Sequence, residues 1–146
     1  MNTIQIDRIL RRQLPNFLGV YARNRLPRGL KKRHSFSLIA NTDPDNKNGQ
    51  HWIAIYVDES DNGEYYDPFG FPPIHQSFEN FLKKRCSQWI YNRVVVQHPF
   101  STVCGQHCIV YLILRNRGHW MHDITTFLNK DLHANTSFVD EFVKTL

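Results

Sequence analysis

Long apolar runs are missing from this sequence. The longest, Cys108 to Leu114, has seven residues, whereas a membrane-spanning helix needs about 20. The first residues are polar and basic and lack the apolar stretch of a secretory signal, so secretion is not expected. Cysteine is scarce. Three residues in 146, an odd number without a CxxC pair, fit a reducing compartment better than a disulfide framework. Internal repeats and low-complexity stretches are absent as well. Metal-ligand spacing is thin: Cys104-x3-Cys108 with His107 and His98 is the grouping that suggests zinc. Helical neighbours at one and four positions point to different faces, and no second ligand pair has finger spacing. No metal is therefore expected.

What is present suffices for one domain over residues 1–146, since a chain of this length buries roughly 68–70% of its unfolded surface. The net charge of +5 is lopsided: residues 1–34 hold nine Lys or Arg against Asp7 alone, and the remainder holds nine against twelve acids. The stretch Arg23, Arg25, Arg28, Lys31, Lys32, Arg33 can draw a polyanion such as DNA. It can equally be a solvated, solubilising face.

The spacing predicts a helix over Thr3 to Leu14, with Ile6, Ile9 and Leu10 inward, stopped by Pro15. Ser35 to Ala40 reads as a strand, and Asn41 to Gln50 as a polar loop rich in turn formers. His51 to Val57 is a strand apolar on both faces, hence central in a sheet, with Gly63 to Asp67 as its partner. Ser77 to Cys86 is expected to be helical, and Trp89 to Gln97, with its Val94-Val95-Val96 run, a buried strand. A helix begins at Cys104 and ends at Gly118 as its C′ residue. Ser137-x-x-Asp140 opens a last helix in capping-box style. Strands in the middle and helices on both sides make an α+β domain.

Chemistry centres on Cys104. At the start of a helix, unpaired amides and the positive dipole end pull a thiol pKa down toward roughly 3.5–7.5. Gly105 is expected to leave the thiol uncrowded and let a substrate backbone come close. Cys108 and Leu112, one and two turns on, suit the core stripe better. A thiolate needs a base and a group to orient that base, and among eight histidines His51 begins the most confident strand. A hairpin turn centred on Glu59 sets Asp67 directly opposite His51, with Cβ atoms about 4.5–5.5 Å apart. The rival register, with Asn62-Gly63 as a two-residue turn, opposes Asp67 to Asp58, two like charges, and is disfavoured. Gln97 is expected to end its strand near the helix start, either as an oxyanion donor beside the Cys104 amide or as a residue facing solvent.

The segments Asn16-Phe17-Leu18-Gly19-Val20-Tyr21, Asn41-Thr42, Gly49-Gln50-His51-Trp52, Asp67-Pro68-Phe69-Gly70-Phe71, Gln97 and Cys104-Gly105 together resemble the adenovirus proteinase (adenain) family of cysteine endopeptidases. That family includes proteases of Maverick/Polinton elements and other DNA viruses. The resemblance covers about residues 16–115 in the family's order. It implies a central mixed sheet between helices, with Cys104 as nucleophile, His51 as general base, Asp67 as orienting acid and Gln97 as oxyanion donor. Adenovirus enzymes carry Glu at the Asp67 position, while their SUMO-protease cousins carry Asp. The activity implied is hydrolysis of viral capsid or core precursors, often after small residues such as Gly, by a monomer in the virion and in the host-cell nucleus or cytoplasm. A SUMO-type deconjugase and a non-catalytic DNA-binding module are the rivals. Cys86, eleven residues before Gln97, stands where adenovirus enzymes carry the cysteine that joins an activating viral peptide by a disulfide. A solvent-facing cysteine after Lys83-Lys84-Arg85 is the preferred reading. The expectation is activity without a peptide cofactor, raised by DNA.

Overall fold

The computed structural model describes residues 1–46 and 51–146, so Gly49 and Gln50 of the polar loop and the His51 motif lie outside the described residues. The amphipathic N-terminal segment forms α1 (Thr3–Gln13), with Ile6 and Leu10 fully buried. The Asn2 side chain accepts from the Gln5 amide and the Asn2 amide donates to the Gln5 side chain, a reciprocal cap for two otherwise orphaned donors.

β1 (Phe17–Ala22), which the residue patterning had not marked as a strand, pairs parallel with β2 (Phe36–Asn41). β2 runs antiparallel to β3 (Trp52–Val57), and β3 antiparallel to β4 (Asn62–Tyr66). After α2 (Gln76–Arg85), β5 (Gln88–Tyr91) joins β4 in parallel, and the described strands lie in the order β1-β2-β3-β4-β5. β3 is thus the middle strand, as its apolar faces require. Its Ala54 enters one core cluster with Ile39 and Tyr66, and its Ile53 and Ile55 enter another with Leu38. The first cluster is closed by α1, α3 (Cys104–Asn116), α4 (Met121–Leu128) and α5 (Leu132–Lys144), the second by α2. The result is an α+β fold, a mixed five-stranded sheet flanked by helices.

The hairpin register differs from expectation. Ala54 pairs with Tyr66 and Val57 with Gly63, a slip of two residues from the turn centred on Glu59. The Asp58 carboxylate accepts from the amides of Ser60 and Asn62, both at 2.9 Å, and Asp61 takes a left-handed φ of 64°. These bonds lengthen the loop to a type I turn plus a left-handed residue. Gly63 serves packing rather than turning, because a Cβ there would stand 2.5 Å from the Cys86 sulfur.

The strand expected over Trp89–Gln97 stops at Tyr91, at the sheet edge, with Ile90 55% exposed. Arg93 has a left-handed φ of 56°, which breaks the ladder before the valines. Val96 and Gln97 instead donate their amides to the Pro68 carbonyl at 2.9 and 3.0 Å. At the C-terminal end, Asp131 caps α5 by accepting from the Ala134 amide at 3.1 Å. The last helix thus starts well before Ser137, which lies inside it. α4, also unanticipated, begins after Trp120 without any side-chain cap.

Candidate active site

α3 packs its length into the core, with Cys108, Ile109, Val110 and Leu112 all at 1% exposure or less. Its first residue is Cys104, preceded by Val103, which offers no side-chain cap. The first-turn amides are therefore free for other acceptors, and the amides of Gly105 and Trp52 favour the thiolate form of half-buried Cys104. One turn later the Cys108 thiol donates to the Trp52 carbonyl at 3.4 Å. The two backbone polar groups of Trp52, the first residue of β3, thus both face sulfurs of α3. Gly105 differs from expectation: it is buried, and a Cβ on it would meet Ile6 and Trp52 at 3.3 Å. Its smallness serves helix–strand packing, not access for a substrate.

His51 sits one residue before β3, its carbonyl fixed by the Thr42 amide at 2.9 Å. Its Nε2–H donates to Asp67 Oδ1 at 2.7 Å, although the pair stands diagonally across the hairpin rather than directly opposite. A slip of two residues preserves the face of every side chain, and diagonal neighbours about 7–8 Å apart are within reach of an imidazole. Phe69 stacks on the His51 ring with centroids 4.9 Å apart. Nε2 being committed, Nδ1 is left for the thiol, and His51 and Cys104 each shift the other's proton affinity.

The electrostatics follow from those bonds. Burial is the largest influence on His51 and lowers its pKa, but the hydrogen bonds to Asp67 and Cys104 together outweigh it and hold the ring up at about 9. Burial likewise pushes the Cys104 thiol up. His51 and the amides of Trp52 and Gly105 overcome that and leave its pKa below the ordinary thiol value. Both shifts favour an imidazolium beside a thiolate, the form in which a cysteine attacks carbon.

Asp67 is 4% exposed, and Asn92, unmarked by any sequence signal, clamps its backbone. The Asp67 amide donates to Asn92 Oδ1 at 3.1 Å, and Asn92 Nδ2 donates to the Asp67 carbonyl at 2.7 Å. The turn after Asp67 lies so close to the next segment that a Cβ on Gly70, whose φ is 78°, would stand 2.8 Å from the Val94 carbonyl carbon. That approach carries the chain to Gln97, which is 1% exposed and not solvent-facing. Gln97 Nε2 donates to the Ser101 carbonyl at 3.3 Å, while its Oε1 is buried without a partner. Gln97 therefore lies between the Asp67 turn and the loop that leads into Cys104, with its amide engaged by that loop.

Other sequence candidates lie elsewhere. Cys86 is 7% exposed at the end of α2, not solvent-facing, and burial pushes its thiol up to about 11. The basic stretch Arg23–Arg33 forms the connection from β1 to β2, beside α2, where Leu26 and Leu30 pack on the second core cluster. Arg25 there pairs with Asp45 at 2.5 Å. Among the described residues no three His, Cys, Asp or Glu side chains are grouped as a metal site.

Residues 17–129 match the family described as adenovirus endoprotease. The chain is 34% identical over 112 residues to a protease of Bovine adenovirus C serotype 10, covering 67% of this chain and 57% of that protein. It is 29% identical over 115 residues to a protease of Porcine adenovirus A serotype 3, covering 68% and 56% respectively. The chain thus spans a little over half the length of these relatives. Among solved structures, the ASFV pS273R protease superposes with a TM-score of 0.63 at 16% identity, over 84% of this chain and 60% of that one. The central domain of the Legionella pneumophila protein Lpg1148 gives 0.60 at 12% identity, over 99% and 94%. At these identities the two superpositions speak for the fold alone.

Proposed function

The chain belongs to the adenovirus endoprotease family, and from that premise we propose that it is a cysteine endopeptidase acting on viral capsid or core precursor proteins. The observation that carries this reading is the thiol at the head of α3 whose proton affinity His51 lowers, His51 being itself held by Asp67. The Cys104 thiolate attacks the scissile carbonyl, and the negative charge moves to the carbonyl oxygen. The Cys104 amide and the Gln97 side chain stabilise that oxyanion, Gln97 after turning its amide from Ser101. Collapse breaks the C–N bond, and the leaving amine takes the imidazolium proton. Water then adds to the thioester, giving its proton to His51, and the thiolate departs. No metal or organic cofactor enters this chemistry.

The preferred cleavage position is after a small residue such as Gly, and residues 1–146 form one protease domain that acts as a monomer in the virion and the host-cell nucleus or cytoplasm. DNA raises its activity through Arg23, Arg25, Arg28, Lys31, Lys32 and Arg33. No activating peptide is needed, and Cys86 forms no regulatory disulfide, a view supported by its burial. A second reading is favoured by Asp in place of the adenovirus Glu at position 67: deconjugation of a ubiquitin-like modifier after Gly-Gly. Digestion of labelled capsid-precursor peptides and of SUMO conjugates, side by side, separates the two. Cys104→Ser should abolish cleavage with thermal stability nearly unchanged. Retained hydrolysis in that variant, or selective alkylation of Cys86 or Cys108 over Cys104, would sink the assignment.

A further inference from the structure

Between the β1–β2 connection and α2 lies a cavity of about 630 Å³ whose walls belong to neither Cys104 nor His51. One wall is a face of α2: Ser77, Asn80, Phe81, Lys84 and Arg85. The other carries Arg23, Arg28 and Lys32 around Leu26, Pro27 and Leu30. Five cations and no carboxylate line it. Two of the cations are spoken for. Arg85 donates to Asp61 at 2.7 Å and to the carbonyls of Lys31 and His34. Lys32 donates to the carbonyls of Lys84 and Arg85. Among the described residues, Arg23, Arg28 and Lys84 make no ion pair.

The buried polar atoms without a partner point the same way. Arg23 Nε, Arg85 Nε and Ser77 Oγ are all shielded from solvent, all lack an acceptor, and all belong to residues of this cavity. Buried donors are normally satisfied. Two N–H groups and a hydroxyl without an acceptor, beside unpaired cations, are the complement of phosphate oxygens. A duplex is too broad to enter a cavity of this size, whereas a small organic ligand fills one. Leu26, Leu30 and Phe81 supply an apolar surface for the ligand's body.

We propose that this cavity binds a small organic polyphosphate, its phosphates on Arg23, Arg28 and Lys84 and its apolar body against Leu26, Leu30 and Phe81. Isothermal titration with inorganic tripolyphosphate, ATP and a short DNA duplex at fixed salt tests it. Both small anions should bind saturably at one site, ATP the tighter. Arg23→Ala combined with Lys84→Ala should weaken both at least tenfold. Lys84→Glu alone, at an exposed position, should do the same if the double variant fails to fold. Phe81→Ala should weaken ATP and spare tripolyphosphate, and Arg25→Ala, outside the lining, should change neither. Absence of saturable binding, indifference to the charge variants, or binding of duplex alone would overturn the proposal. Equal affinity for ATP and tripolyphosphate would overturn the apolar half of it.

Discussion

At the scale of single residues, the proposed chemistry turns on where two protons reside. Cys104 loses its proton below the ordinary thiol range and His51 keeps its own up to about pH 9. The reactive pair exists between those limits. kcat/KM should therefore rise along an acid limb as the thiol ionises, and fall along an alkaline limb near pH 9 as the imidazolium is lost. Removing Asp67's hydrogen bond removes a cause that raises His51, so Asp67→Asn should move the alkaline limb to lower pH. It should cost less activity than His51→Ala, which should approach the loss in Cys104→Ser, since members of such a unit are not additive. A pH series on the three variants checks the order. Gln97→Ala should lower kcat by roughly 10²–10³ with KM little changed, as for a donor engaging the transition state. A change confined to KM would assign Gln97 to substrate binding instead. That Cys104 opens α3 and His51 immediately precedes β3 was legible, because the apolar patterning of the two elements marks where each begins. Asn92 was not, because its role lies in two backbone bonds to a residue twenty-five positions away in sequence.

At the scale of elements, α3, which Cys104 opens, and β4, which leads into Asp67, are joined by a buried polar link. Arg115 of α3 donates through Nε and Nη2 to the Glu64 carboxylate of β4 at 2.9 and 3.0 Å, and the Tyr111 hydroxyl donates to the same carboxylate. The guanidinium lies over the Tyr56 ring at 4.5 Å, and Tyr66 stacks on Tyr111 with centroids 4.0 Å apart. Arg115→Leu would leave Glu64 buried and uncompensated, so it should cost about 3–5 kcal/mol of stability, measured by chemical denaturation. Pairing it with Glu64→Gln should recover much of that loss. A loss below 1 kcal/mol would mean that the link is not buried in solution. Elements with strong periodicity, α1, β3 and α3, could be read from the chain. The hairpin register could not, because Asp58's side-chain bonds, not the Asn62-Gly63 dipeptide, set the loop. The valine run misled for a related reason: left-handed Arg93 and the Pro68 carbonyl take that segment out of the sheet. The Ser137 pattern was outcompeted by Asp131, a cap of the same kind four residues before the resulting Asn135–Val96 tether.

At the scale of the whole molecule, the sheet separates two kinds of surface. The Cys104 helix lies on one face, and the basic β1–β2 connection lies with α2 on the other. Stimulation by DNA would then be indirect, and it should fade as salt rises with a slope set by the phosphates engaged. Activity without peptide, little altered by Cys86→Ser, is expected in the same assay. An enzyme inert alone and switched on by a cysteine-bearing peptide only when Cys86 is intact would restore the adenovirus mode of control. The sheet order and both core clusters rest on contacts that no local pattern encodes. They were foreseen only in outline, through the apolar faces of β3. The placing of Cys104 and Cys108 against the amide and the carbonyl of Trp52 reaches beyond catalysis into how the molecule breathes. With Cys104 beside it, the Trp52 amide should exchange deuterium more slowly than that of Ile90 on the sheet's edge. Capping the Cys104 sulfur with an alkylating reagent should speed exchange at Trp52 specifically, an isotope-labelled readout of the site that needs no substrate.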